Sequence, residues 1–81
     1  MDTYKIAIEE VYVPAKRKRD IDQTKVDQIA ESMMEDGQKV PIVVRDDGKR
    51  LVLVEGLQRL EAARALGEET IQALKVSARQ R

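Results

Sequence analysis

Two apolar runs, Pro41-Ile42-Val43-Val44-Arg45 and Leu51-Val52-Leu53-Val54, flank the tetrapeptide Asp46-Asp47-Gly48-Lys49. No other segment of the 81-residue chain restricts the fold as much. An Asp-Gly pair between strand-like runs predicts a tight hairpin, because glycine reaches the positive φ that such turns need. Both runs are apolar at successive positions rather than alternating. A strand pattern of that kind suits the middle of a sheet whose faces are covered by helices.

The flanking segments supply those helices and further strands. Tyr4–Val13 alternates, with Tyr4, Ile6 and Ile8 on one face followed by Val11 and Val13, and predicts a strand ending at Pro14. Ala15–Asp20 has no period and reads as a basic loop around Lys16-Arg17-Lys18-Arg19. Asp22 or Thr24 can cap the next segment. There Val26, Ile29, Ala30, Met33 and Met34 repeat at spacings of three and four, the apolar stripe of an amphipathic helix. Asp27, Glu31, Glu35 and Asp36 make its other face acidic, and Gly37 is a suitable stop. The Met33-Met34 pair is expected in the core. Beyond the hairpin, Gly56 breaks the strand, Leu57–Leu66 reads as a second helix ended by Gly67, and Thr70–Val76 as a last strand with Ile71, Ala73 and Leu74 as its candidates for burial. The expected architecture is a small mixed sheet in β-α-β-β-α-β order, an α/β (α+β) class fold in one domain over residues 1–81.

Composition removes several kinds of chemistry. The sequence has no cysteine and no histidine, so disulfides, thiolate nucleophiles, thiolate zinc sites and histidine bases are absent from it. Ser32, Ser77 and the threonines have no histidine to activate them. Only Tyr4 and Tyr12 are aromatic, too few for a platform that stacks bases. No apolar run approaches the ~20 residues of a membrane span, and the N-terminus reads as strand, so a cytoplasmic protein is expected. Acidic and basic residues balance at 15 each, so only local clusters of charge bear on partners.

Two such places stand out. At Val54-Glu55-Gly56-Leu57-Gln58-Arg59 a strand turns through glycine into a helix. Free N–H groups at a helix start carry the positive end of its dipole and form a ready anion site. Arg59 in that first turn is mildly repelled by the dipole, and a bound anion reverses that cost. The plainer alternative is that Gly56 is only a turn residue and Arg59 pairs with Glu55 or another acid. The second place is Lys16–Arg19, whose four cations can contact several phosphates of a DNA backbone or simply remain a solvated loop. Asp46 and Asp47 can hold magnesium, although an Asp-rich turn accounts for them as well.

Several of these pieces together resemble the N-terminal domain of ParB-type partition proteins and their sulfiredoxin-like relatives. Gln28-Ile29-Ala30-Glu31-Ser32-Met33 with Gly37 is similar to the family's L-A-x-S-I…G helix. Pro41–Arg45 is similar to its Q-P-I-V-V-R strand, and Val13-Pro14 with the basic residues to its N-P-x-Q-P-R entry. Gly56-Leu57-Gln58-Arg59-Leu60-Glu61-Ala62-Ala63 stands where the family has G-E-R-R-x-R-A-A or G-H-H-R-L-x-A. The resemblance implies a mixed sheet with packed helices and a phosphate-binding turn at that box, which holds CTP in partition proteins; related domains bind ATP, transfer phosphoryl groups or act as nucleases. Gly56 and Arg59 carry over. Leu57 replaces Glu or His, Gln58 replaces Arg or His, and Glu61 replaces the third Arg. Each lost charge-assisted contact weakens triphosphate binding by ~1–3 kcal/mol.

The expectation is therefore a ParB-like, DNA-associated binding module serving plasmid or chromosome partition or transcriptional regulation. Its nucleotide or phosphate site comprises Gly56, Leu57, Gln58 and Arg59, and its DNA-backbone contacts are Lys16, Arg17, Lys18 and Arg19. The implied ligand is CTP or ATP with magnesium, with no resident metal. DNA and nucleotide are the expected partners, with a homodimer or a larger partition or regulatory protein also open. A metal-dependent nuclease or nucleotide phosphohydrolase is the alternative, with Glu55 as base or metal ligand. A protein-interaction scaffold is a third.

Overall fold

A computed structural model of the chain describes residues 3–77. Strand β1 (Thr3–Ala7) passes through a three-residue 3-10 turn (Ile8–Glu10) into β2 (Val11–Tyr12). Helices α1 (Ala15–Lys18) and α2 (Gln23–Asp36) follow, then β3 (Ile42–Asp46), β4 (Leu51–Glu55), α3 (Leu57–Ala65) and β5 (Thr70–Ser77). The five strands form one sheet in the order β1-β5-β3-β4-β2. β1 is antiparallel to β5, β3 is parallel to β5 and antiparallel to β4, and β2 is parallel to β4. The mixed α/β expectation holds, and so does the hairpin between β3 and β4.

Two local readings are corrected. Tyr4–Val13 is not one strand: the 3-10 turn divides it, and its halves lie at opposite edges of the sheet. That arrangement forces the sheet to curl. Laid flat, the edge strands would stand ~19 Å apart at ~4.8 Å per strand, while the chain from Ala7 to Val11 reaches at most ~14 Å. Ile6, Ile8, Val11 and Val13 remain buried, so the alternation tracked burial at these positions and missed the bend, whereas Tyr4, assigned to the same face, is exposed at the sheet edge. Ala15–Asp20 is not all loop: Ala15–Lys18 makes a single helical turn after Pro14, which stands as its N-cap.

The core is aliphatic. Ile42, Val44, Leu53, Leu57, Leu60, Ala63, Ile71 and Ala73 join the N-terminal residues in one cluster beneath α2 and α3. Asp22, not Thr24, caps α2, its carboxylate accepting from the N–H groups of Thr24 and Lys25. The methionine pair separates: Met33 packs against the core, whereas Met34 is 73% exposed, contrary to its expected burial. Adjacent helical residues point about 100° apart, so both face inward only where a helix is covered widely. The outer face of the hairpin is open toward the end of β4, where Val54 is exposed, while Val52 on the same face is buried. α3 ends in a glycine-dependent cap, the N–H of Glu68 reaching the carbonyl of Ala63 and that of Gly67 the carbonyl of Arg64.

Candidate anion site

Gly56 is the N-cap of α3 and holds φ +105°, ψ 28°. A Cβ at this position would lie 2.6 Å from Cγ2 and 2.9 Å from Cβ of Ile42, a fully buried residue at the start of β3. Backbone shape and lack of space thus both require glycine. The turn brings the start of α3 down onto the sheet, and Leu57, the next residue, is buried in the core.

The first turn of α3 is open to an anion. The first N–H groups of any helix lack intrahelical acceptors. Among the described residues no side chain caps this end of α3, and its first turn contains no acid. The N–H of Leu60 is the first to be satisfied, by the carbonyl of Gly56 at 2.8 Å.

The four residues of the predicted site have different tasks. Gly56 shapes the turn. Leu57 offers only its backbone, since its side chain belongs to the core. Gln58 uses both ends of its carboxamide within the protein: Oε1 accepts from the N–H of Asp22 at 2.8 Å, and Nε2 donates to the carbonyl of Asp20 at 2.8 Å. Arg59 is half-buried and makes no ion pair among the described residues, so the alternative pairing with Glu55 is not formed. Its side chain lines a cleft of about 210 Å³ against α2 and the loop after it, together with Gln28, Ser32 and Lys39.

Lys39 and Ser32 were not legible as site residues, because only the packing of α2 on α3 brings them to Arg59. Lys39 does pair with Asp36 at 3.6 Å, but both side chains are more than half exposed. Such a pair is weak, and an anion between Lys39 and Arg59 can compete for it. The preceding residue, Gln38, anchors this loop. It donates to the carbonyls of Val40 and Gln72 and accepts from the N–H of Gln72 at 2.8 Å.

The basic run lies on α1 and its C-cap, Arg19, and meets α3 on a different side from Arg59. Lys16, Lys18 and Arg19 are exposed, Arg17 is half-buried, and none is ion-paired among the described residues. Lys18 lines a separate groove with Ile21, Glu61 and Arg64. Glu61 is itself bound to Arg64 at 3.6 Å. Glu61 and Arg64 fall on the side of α3 roughly opposite Arg59 at 3.6 residues per turn. The chain thus presents two cationic surfaces, not one.

Glu55 closes β4 and is exposed. Asp46 and Asp47 serve the hairpin: Asp46 accepts from the N–H of Gly48, and Asp47 from those of Lys49 and Arg50. These bonds, led by that from Lys49, hold the Asp47 carboxyl below an aspartate's ordinary value of 3.8, with the charges of Arg50 and Arg45 adding to the effect. No group of three potential metal ligands occurs among the described residues.

Comparison with known proteins agrees with the fold. The family described as the ParB N-terminal domain matches residues 2–81. A probable chromosome-partitioning protein ParB from Campylobacter jejuni subsp. jejuni is 35% identical over 60 residues, which make up 74% of this chain and 22% of that protein. Among solved structures, sulfiredoxin from Arabidopsis thaliana superposes with a TM-score of 0.88 at 28% identity, over 96% of this chain and 88% of that one. The C-terminally truncated chromosome-partitioning protein ParB from Caulobacter crescentus, complexed with CTP-gamma-S, gives a TM-score of 0.80 at 21% identity, over 95% and 45%.

Proposed function

The chain belongs to the ParB N-terminal domain family, and from that premise we propose that it is a phosphate-recognising module of a partition or regulatory system, binding nucleotide at the first turn of α3. The observation that carries the reading is Arg59. It is a half-buried cation without an ionic partner among the described residues, in the uncapped first turn of a helix and across a cleft from Lys39. Burying part of a guanidinium is unfavourable unless a counter-charge joins it. A phosphate in the cleft between Arg59 and Lys39 supplies that counter-charge, and the positive end of the α3 dipole adds to the attraction.

The cleft is smaller than the ~300 Å³ at which pockets for whole small molecules begin, so it takes phosphate while the sugar and base lie along the surface. CTP or ATP fits this description, with any magnesium carried on the phosphates. The ParB relative from Caulobacter crescentus, solved with CTP-gamma-S, supports that choice. Lys16–Arg19, on the other side of α3, forms a second surface that takes DNA backbone phosphates without reading sequence.

Titration with CTP, ATP and a short duplex, with and without magnesium and at two salt concentrations, tests the reading. Arg59→Ala should weaken nucleotide binding by about tenfold or more, the worth of a charge-assisted bond. Duplex binding should be indifferent to Arg59, fall steeply with salt, and be lost on neutralising Lys16–Arg19. Silence from every ligand would overturn the reading and direct attention to a protein partner.

A further inference from the structure

α1 has little of its own to hold it in place. It is one turn long, has no buried residue and no side-chain cap, and a single turn is not stable in isolation. Its last bonds run from the N–H of Asp20 to the carbonyl of Arg17 at 2.9 Å and from that of Ile21 to Lys18 at 3.4 Å. Asp22 then begins α2 as its cap. Between the two helices, the carbonyl of Asp20 and the N–H of Asp22 belong to neither. Gln58 satisfies both, at 2.8 Å each, from 38 and 36 residues away. A carboxamide can do this because it carries donor and acceptor on one planar group.

We infer that Gln58 is a positioning residue: its side chain pins the junction between α1 and α2 to the first turn of α3, and so holds the cations of Lys16–Arg19 in a fixed place. No side chain of purely donating or purely accepting character can replace it. The pin itself is a property of the free protein. Its consequence for binding rests on the reading of Lys16–Arg19 as a phosphate-facing surface. A cationic turn ordered in advance binds more tightly than one that must be ordered on binding.

Amide hydrogen exchange in the ligand-free 81-residue chain is the first arm of the test. In Gln58→Met, similar in shape but without hydrogen bonds, the N–H of Asp22 should exchange about tenfold faster, the worth of one bond, while the amides of β3 and β5 keep their rates. Gln58→Glu keeps an acceptor but sets a carboxylate oxygen against the Asp20 carbonyl, so Asp22 should exchange faster in this variant too. Unchanged exchange at Asp22 in Gln58→Met would overturn the pin. Acceleration across the whole sheet would overturn it too, showing a contribution to stability alone. The second arm is duplex affinity at low salt, which should fall about threefold to tenfold in Gln58→Met. An unchanged affinity alongside faster exchange at Asp22 would overturn the positioning role. If the unaltered chain binds no duplex, the DNA reading falls and the exchange result alone decides the pin.

Discussion

Gly56 is where two independent constraints coincide. Its φ of +105° is unfavourable for any residue with a side chain, and Ile42 occupies the space that a Cβ would need. Strained backbone costs about 1–3 kcal/mol and overpacking a similar amount, so Gly56→Ala should lose ~2–4 kcal/mol, read as a lower urea midpoint at unchanged slope. Asp47 lends itself to a pH measurement. Its folded pKa lies below the ordinary 3.8, so its contribution to stability is complete above that value and is lost as pH falls through the lowered one. Thermal midpoints recorded from pH 5 downward should show a component that Asp47→Asn abolishes, because the amide has no charge to lose. The turn at Gly56 and the place of Arg59 in the first turn after it were legible from the sequence, because a glycine between a strand-like run and a helical segment marks the junction. Leu57 and Gln58 were not: consecutive positions on a first turn point in different directions, and only the packed structure assigns one to the core and the other to a distant backbone.

Helix α2 shows how far periodicity reaches. Its spacing gave the right length and the right stop, but it treated Met33 and Met34 alike. A helix lying on a narrow support buries one stripe, and the second methionine falls outside it. Met34→Ser should therefore leave stability within about 0.5 kcal/mol, while Met33→Ala should cost about 1–2 kcal/mol, less than a fully buried methionine; equal effects in denaturant titrations would contradict the burial. Asp22→Ala should cost ~1 kcal/mol through loss of the α2 cap, with the bond from its backbone N–H to Gln58 unaffected. The edge strands carry a feature that periodicity did not reveal. The two tyrosines of the chain lie one on β1 and one on β2, and each ring is covered by a cation, Lys75 of β5 at 4.7 Å over Tyr4 and Arg50, in the loop leading into β4, at 3.9 Å over Tyr12. Cation–π contacts at exposed sites are worth roughly 0.5–1 kcal/mol, and they occupy an edge that would otherwise be left to solvent.

At the scale of the whole molecule, equal numbers of acids and bases conceal an uneven distribution. α2 presents a carboxylate-rich outer face, while Arg59 with Lys39 and the Lys16–Arg19 turn present cations on two sides of α3. If both cationic surfaces bind phosphate, their responses to salt should separate. Duplex affinity should follow the logarithm of salt with a slope set by the contacts of Lys16–Arg19, and replacing that run with alanines should flatten the slope. The strand order was not legible, because nothing in Tyr4–Val13 announces that its halves will part to opposite edges. That choice is made by closure of the sheet over an aliphatic core, a property of all five strands together.

The pairing of the first strand with the last has a practical outcome. Thr3 lies opposite Leu74, so the described chain starts and finishes at one corner, within about 10 Å along the strands. Any neighbouring segment, at either end, is hung from that single corner. Both cationic surfaces are thus built on a body whose two described ends leave it from the same corner.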